Sequence, residues 1–199
     1  MDKGRLEAFS DGVMAIIITI TVLLFDLPDG DSLESLKQLL PLARVYLVSF
    51  IMIGVHWVNH HHLLQVASHV NGKILWANLL YLFALSFFPL ATGWVGKTRF
   101  AGVSTTVYVL INLAEAGSYV LLQQAIVHSK DCVNLKRVVN ESNKELYTFV
   151  MEFAALICSF LPAVRWASYL LLIAGTAPWI IPDLRMSRVY YDSFDTTED

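Results

Sequence analysis

Charged side chains are scarce in this sequence. Only 16% of its 199 residues are charged and 56% are hydrophobic, whereas an average soluble domain carries about 25% charged residues. The formal net charge of −3 provides no basic excess to hold a nucleic-acid backbone. The composition therefore excludes nucleic-acid binding and argues against a soluble monomer.

Cysteines and catalytic motifs are also scarce. The two cysteines, Cys132 and Cys158, form no C-x-x-C pair, which argues against a disulfide framework or a zinc ribbon. The sequence has no Walker loop, no Gly-x-Ser-x-Gly elbow, no His-Glu-x-x-His motif and no dinucleotide fingerprint. We therefore predict neither an enzyme nor a resident cofactor or metal.

Apolar blocks long enough to cross a bilayer as helices dominate the chain instead. Six such spans are predicted, over residues 5–27, 36–62, 74–95, 103–127, 146–163 and 166–181. They predict an all-α integral membrane protein with one six-helix domain over residues 1–184 and an acidic cytoplasmic tail over residues 185–199. An N-terminus inside the cell places nine of the 14 basic residues inside and five outside, so we expect both termini in the cytoplasm.

The first span carries an acidic residue at the membrane edge. Ser10 and Asp11 precede the uninterrupted apolar stretch 12–25. A carboxylate at that depth is costly unless it is paired or hydrated, which makes it a candidate for a functional site. Alternatively, both residues cap the start of the helix.

An apolar stripe follows on the same span. On a helical period Ile16, Ile20 and Leu23 share one face, and Thr19 flanks it. The stripe predicts either ordinary helix packing or a helix that surrounds an axis with its symmetry mates. In the second case, rings of these side chains would form a hydrophobic constriction that gates ions by dewetting.

The motifs of the first three spans resemble those of a known family. They read Arg5-x-x-x-Phe9-Ser10-Asp11-Gly12-Val13-x-Ala15-Ile16 with Thr19, then Trp57-x-x-His60-His61, then Asn78-Leu79-x-x-Leu82 and Pro89-x-x-Thr92. This set is similar to the signature of the transmembrane protein 175 potassium channels, in particular their prokaryotic members. The specific motifs cover about the first half of the chain, and the rest matches by hydropathy and span count.

The resemblance implies a homotetramer of six-helix subunits in the plasma membrane of a prokaryote, with the first helices lining a central pore. It implies passive, moderately selective potassium conduction without a Thr-Val-Gly-Tyr-Gly filter, which this sequence lacks. Ile16 matches the narrowest layer, Ile20 and Leu23 the next layers, and Thr19 a threonine that supports selectivity. A polar network that secures the first helix is expected from Arg5, Phe9, Ser10, Asp11 and His60, with His60 donating to the Asp11 carboxylate.

Two other functions stay open on the residues alone. A proton-coupled transporter would use Asp11, Glu115 or Glu152 as a carrier site within the membrane. A membrane haem or metal enzyme would use the histidine-rich end of the second span, with His56 or His60 facing His128 as axial haem ligands.

Overall fold

The computed structural model describes residues 2–26, 28–67, 69–129 and 143–181, and the regular structure within these ranges is helical. The eight helices of these ranges are α1 (Lys3–Val22), α2 (Leu33–Lys37), α3 (Leu40–Gln65), α4 (Gly72–Leu85), α5 (Phe88–Lys97), α6 (Gly102–Val127), α7 (Lys144–Phe160) and α8 (Ala167–Ile180). Polar side chains cap several helix starts. Asp2 accepts from Gly4 N at 3.2 Å, and Asn71 accepts from Ile74 N at 3.0 Å.

Three segments are long and apolar enough to cross a membrane: Leu40–Gln65, Gly72–Lys97 and Gly102–Val127. They make the chain a multi-pass membrane protein. Helix α1 has 20 residues but carries several charges near its start, while α7 has 17 residues and α8 has 14. At 1.5 Å per residue, α7 and α8 are about 26 Å and 21 Å long, somewhat shorter than a hydrocarbon core of about 30 Å.

Prolines account for most of the differences from the predicted spans. The predicted second span separates into α2 and α3, and Pro41 occupies the first turn of α3. The predicted third span breaks between α4 and α5, where Pro89 stands in the first turn of α5. Proline supplies no backbone N–H for a hydrogen bond to the preceding turn, so each break falls just ahead of a proline.

The first span is shorter than predicted. Helix α1 ends at Val22, Leu23 is its C-terminal cap, and turns follow ahead of Pro28. Leu27, the predicted end of this span, lies outside the described residues. The predicted acidic tail, residues 185–199, also lies outside them, as do residues 182–184 of the predicted domain.

Contacts at the helix ends show how the helices run. Lys3 Nζ donates to Gln65 O at 2.7 Å, so the start of α1 meets the end of α3. At the other end of α1, Asp26 pairs with Lys97 at the end of α5, at 3.2 Å. Lys144 Nζ donates to the carbonyl oxygen of residue 181 at 3.1 Å. Consecutive long segments are therefore antiparallel, as short connections require.

Two apolar clusters form the core. One joins α1, α3, α4 and α6 and includes Met14, Ile53 and Leu122. The other joins α3, α5, α6, α7 and α8 and includes Val95 and Leu172. Helices α3 and α6 contribute buried residues to both clusters and so connect them.

Helices α3 and α5 approach each other very closely at Gly96. A Cβ at this position would lie 2.9 Å from Leu42 Cα and 2.5 Å from Leu42 Cδ1. Farther along the same contact, the buried Ser49 hydroxyl lies 2.7 Å from Thr92 Oγ1 and 2.8 Å from the Tyr108 hydroxyl. This polar cluster connects α3, α5 and α6 inside the bundle.

Candidate functional site

Helix α1 has one covered face and one open face. The covered face packs on the rest of the subunit through Leu6, Ser10, Met14, Ile17 and Thr21, which are all buried. On the open face, Ile16 is 56% exposed, Ile20 45% and Leu23 78%. The three residues of the predicted apolar stripe therefore lie along an uncovered face of a single subunit, available to lipid or to another copy of the chain.

Thr19 lies on the same open face. Its hydroxyl donates within the helix, with Ala15 O and Ile16 O both at 3.0 Å. Such back-bonding uses the only hydroxyl proton and leaves the oxygen lone pairs directed away from the helix. The exposed Thr19 therefore presents an oxygen acceptor between Ile16 and Ile20 along the open face of α1.

A chain of buried hydrogen bonds holds the covered face. His60 Nε2 lies 2.7 Å from Asn78 Oδ1, and Asn78 Nδ2 donates to Ser10 Oγ at 2.9 Å. Ser10 Oγ in turn donates to Leu6 O at 2.9 Å. Because the amide oxygen only accepts, His60 Nε2 must carry the proton. This series of hydrogen bonds therefore joins α3 and α4 to α1 at the depth of the Phe9-Ser10-Asp11 motif.

The prediction that His60 donates a hydrogen bond to Asp11 is wrong, because each side chain has another partner. Asp11 Oδ1 accepts from Trp57 Nε1 at 2.8 Å, and the Trp57 ring stacks on His61 with centroids 6.1 Å apart. The two side chains point in different directions from α3. His60 points into the core, where its ring stacks on Tyr81 with centroids 5.3 Å apart. Trp57 is 42% exposed and lies beside α1. Two separate contacts therefore hold α1 where the sequence predicted one network.

Two members of the predicted network stand apart from it. Phe9 is 52% exposed on the open face of α1. Arg5 is exposed too, and the described part of the chain offers its guanidinium no hydrogen bond or ion pair. Within one subunit, the structure brings together Ser10 and His60 through Asn78, and separately Asp11 with Trp57.

Asn78 and Trp57 stand in the sequence only as motif positions, without a predicted role. Their pairing with Ser10 and Asp11 depends on how α3 and α4 dock against α1, which helical periodicity does not encode. The sequence likewise presents Glu115 and Glu152 as separate acids. In the structure both line one cavity with His56, whose Nδ1 lies 3.1 Å from Glu115 Oε1.

The histidines do not gather into a metal centre within residues 2–26, 28–67, 69–129 and 143–181, where no group of three or more His, Cys, Asp or Glu side chains could hold a metal ion. The proposed haem ligands are also occupied or displaced. His60 Nε2 is bonded to Asn78, and His128 caps the end of α6 with its Nδ1 2.8 Å from Gln124 O. The described geometry gives the haem hypothesis no support.

Comparison with known proteins gives consistent matches. The sequence profile of the family described as endosomal/lysosomal potassium channel TMEM175 matches residues 5–89. The chain is 41% identical over 189 residues to a potassium channel of Chryseobacterium sp. (strain P1-3), covering 94% of this chain and 97% of that protein. It is 36% identical over 123 residues to a potassium channel of Streptomyces collinus (strain DSM 40733 / Tue 365), covering 58% of this chain and 60% of that protein.

A solved structure agrees with these sequence matches. The crystal structure of a lysosomal potassium-selective channel TMEM175 homolog from Chamaesiphon minutus superposes on this chain with a TM-score of 0.76. The two share 28% sequence identity, and the superposition covers 92% of this chain and 97% of the other. The similarity therefore extends over the helical bundle and beyond the residues that carry the sequence motifs.

Proposed function

The chain belongs to the TMEM175 family, and we propose that it is a potassium channel whose pore is lined by the open face of α1. It is a channel and not an enzyme, and it conducts potassium ions, as its bacterial relatives do. The observation that carries the pore assignment is the uncovered stripe of Ile16, Thr19, Ile20 and Leu23, on a helix whose opposite face is held by buried hydrogen bonds.

Symmetric assembly would turn this stripe into a pore. Four copies of α1 around a central axis would bring Ile16, Ile20 and Leu23 into successive rings. A ring of large aliphatic side chains expels water from a narrow passage and so blocks ions until it widens or becomes hydrated. In this proposal, the ring of Ile16 is the narrowest layer and the rings of Ile20 and Leu23 extend the hydrophobic gate.

Selectivity would come from Thr19 together with the cost of dehydration. A ring of Thr19 hydroxyl oxygens would offer acceptors to an ion that has lost part of its water at the Ile16 layer. K⁺ is larger than Na⁺ and holds its hydration shell less tightly, so an incomplete set of oxygens favours K⁺. Because this pore has no rings of backbone carbonyls, we expect moderate selectivity.

The covered face of α1 would keep the gate in register. The Ser10–Asn78–His60 chain and the Trp57–Asp11 contact both lie in the first half of α1, so they fix its rotation relative to α3 and α4. Rotation by one residue would turn the stripe by about 100° and remove Ile16 from the axis. We assign Ser10, Asp11 and His60 to this anchoring role. Arg5 and Phe9, which lie on the exposed side, would make their contacts with a neighbouring subunit.

The proposed assembly is a homotetramer of six-span subunits in a prokaryotic plasma membrane, with both termini in the cytoplasm. The six crossings would be α1, α3, the α4–α5 segment, α6, α7 and α8. Their antiparallel order supports an even number of crossings, and the distribution of basic residues supports an inside start. Glu152 within α7 and the modest length of α8 are compatible with crossings that pack against other helices.

A proton-coupled transporter that uses Asp11, Glu115 or Glu152 has less support, because the relatives are channels. The acids are also not arranged along one path. Asp11 is bonded to Trp57 beside α1, whereas Glu115 and Glu152 line a cavity to which α1 contributes no residue.

Ion flux into liposomes that contain only the purified protein tests the proposal. We expect a K⁺ gradient to dissipate faster than a Na⁺ gradient, with little Cl⁻ flux, and Ile16→Asn to raise the K⁺ flux by hydrating the narrowest ring. The matched control is Val22→Asn, because Val22 is 46% exposed on α1 but lies about 120° around the helix from Ile16.

Equal permeation of K⁺ and Cl⁻ would overturn the cation-channel proposal. An equal effect of Ile16→Asn and Val22→Asn would remove the gate from the stripe while leaving conduction in place. The mass of the detergent-solubilised particle, measured by native mass spectrometry, tests the number of subunits separately.

A further inference from the structure

A small cavity lies inside the subunit, away from the open face of α1. It is about 30 Å³ in volume and is lined by residues of α3, α6, α7 and α8. The side chains that give it its character are His56, Glu115, Tyr119, Thr148, Glu152 and Trp179. Since about 10–15 Å³ of such space holds one water molecule, the cavity has room for about two.

Within the described residues neither acid in this cavity has a well-formed hydrogen bond, although the Tyr81 hydroxyl lies beside the Glu115 carboxyl group. Glu115 is 1% exposed, and neither of its carboxyl oxygens is hydrogen-bonded within the described residues. Glu152 is 5% exposed, and its Oε2 is likewise unpartnered there. His56 Nδ1 approaches Glu115 Oε1 to 3.1 Å, although the contact is not oriented as a hydrogen bond. An ionised carboxylate buried in this way is very costly unless it is paired, hydrated or neutralised.

Within residues 2–26, 28–67, 69–129 and 143–181, no permanent positive charge lines the cavity to neutralise the two acids. The described residues around it include neither lysine nor arginine. Lys144 lies toward its edge, where its amino group is 5.7 Å from the Trp179 ring centroid and donates to the carbonyl oxygen of residue 181. With both acids ionised and His56 neutral, the cavity would therefore hold two uncompensated negative charges.

The helices around the cavity differ in the titratable groups that they place near it. Helix α3 supplies His56, α4 supplies the buried Tyr81, and α6 supplies Glu115 and Tyr119. Helix α7 supplies Glu152, with Glu145 and Lys144 at its start, and α8 supplies only the neutral Thr176 and Trp179. Glu145 Oε1 accepts from Gln123 Nε2 at 2.9 Å, so it is satisfied, unlike the other two acids. His56, Glu115 and Glu152 are thus left to share protons, with the Tyr81 hydroxyl beside Glu115.

We propose that the His56–Glu115–Glu152 cavity is a proton-binding site within each subunit. At neutral pH at least one of its carboxyl groups holds a proton taken from bulk water, and the roughly two water molecules that fit the cavity connect the three side chains. A proton is the ligand that these buried acids can bind, because each lacks a well-formed hydrogen bond within the described residues. A metal ion is a poorer candidate, since the described residues hold no cluster able to bind one. The site is separate from ion conduction, since no residue of α1 lines it.

Tyr81 connects the site to the residues that hold α1. Tyr81 lies within electrostatic range of Glu115 and stacks on His60 with ring centroids 5.3 Å apart. His60 is the first member of the hydrogen-bond chain that ends at Ser10. The proton site therefore adjoins the residues that anchor α1, although proton binding itself does not depend on conduction.

Infrared spectroscopy of the purified full-length protein tests the proposal directly. We expect a carbonyl stretch of a buried protonated carboxyl group at neutral pH, shifted in deuterated water and still present in alkaline buffers that ionise exposed acids. We expect at least one of the variants Glu115→Gln and Glu152→Gln to abolish this band. Glu34→Gln should leave it unchanged, because Glu34 is exposed on α2. Both glutamine variants keep the shape of the side chain and remove only its ability to titrate.

The wild-type spectrum alone can overturn the proposal. Absence of the band at neutral pH would mean that both carboxyl groups are ionised, and a band that survives both glutamine variants would place the proton elsewhere. A band that appears only when K⁺ is replaced by N-methyl-D-glucamine would show that K⁺, and not a proton, neutralises the acids. None of these results depends on ion flux, so the proposal and the channel function can fail independently.

Discussion

Asn78 donates a hydrogen bond of 2.9 Å to the hydroxyl of Ser10 and thereby attaches the first helix to α4. The same amide accepts from His60 Nε2 at 2.7 Å, so one buried side chain connects three helices. Because both bonds are buried, removing Asn78 would leave two polar groups without their partner in the protein. Together with the Trp57–Asp11 hydrogen bond, this contact holds the covered face of α1 against α3 and α4.

Asn78→Ala should lower the free energy of unfolding by about 1–2 kcal/mol, because it leaves Ser10 and His60 without their shared partner. A thermal-shift assay in detergent measures the loss. Ser86→Ala is the control, since Ser86 is exposed at the end of α4 and bonds only to Phe83 O. Equal shifts of the thermal midpoint for the two variants would show that the buried hydrogen bonds of Asn78 contribute no more stability than the hydroxyl of a surface serine.

Trp57→Phe should destabilise the protein by about 1 kcal/mol, because it keeps an aromatic ring but removes the indole N–H that donates to Asp11. The thermal midpoint of Trp57→Phe, of Asp11→Ala and of the double variant forms a cycle that isolates the interaction. Trp76→Phe is the control, because Trp76 is 73% exposed. Strict additivity in the cycle would contradict a direct contact in solution.

Thr19→Val should reduce the preference for K⁺ over Na⁺, because it replaces the exposed hydroxyl by a methyl group of similar size. The ratio of K⁺ to Na⁺ flux in liposomes checks this result. Thr21→Val is a closely matched control: Thr21 makes the same kind of back-bond, to Ile17 O at 2.7 Å, but it is buried on the opposite face. The proposed role of Thr19 requires that the control retain its selectivity.

Gly96→Ala should destabilise the bundle by about 1–3 kcal/mol, because the added Cβ would lie 2.9 Å from Leu42 Cα and would push α5 away from α3. Thermal unfolding measures the change. Gly54→Ala is the control within α3, since a Cβ there would meet no atom within 4 Å and alanine favours the helix. A loss of stability in the control alone would contradict the close packing of α3 on α5.

Cysteine labelling should place Lys73 in the cytoplasm and Arg99 outside, since one lies at the start of the span Gly72–Lys97 and the other follows its end. Lys73→Cys and Arg99→Cys are made in a background of Cys132→Ser and Cys158→Ser, and both labelled positions are exposed. A membrane-impermeant maleimide applied to intact cells should label only Arg99→Cys. Labelling of Lys73→Cys alone would reverse the proposed orientation.

The amino-acid sequence by itself determined the class of the protein and the content of the first helix. A shortage of charge and a series of apolar blocks predict a membrane protein. The hydrocarbon core of a bilayer holds no water to solvate charges, so it favours apolar helices that satisfy their own backbone hydrogen bonds. Helical periodicity alone was enough to put Ile16, Ile20 and Leu23 on one face, and the structure leaves all three exposed together. These properties depend on neighbours close in the chain, which a sequence displays directly.

The tertiary structure alone decided which polar groups meet. Trp57, and not His60, bonds to Asp11, because the docking of α3 against α1 turns one side chain toward the carboxylate and the other toward Asn78. Glu115 and Glu152, 37 positions apart on different helices, share a cavity with His56 for the same reason. Helix rotation and crossing depend on packing over many side chains at once, whereas periodicity describes each helix only by itself.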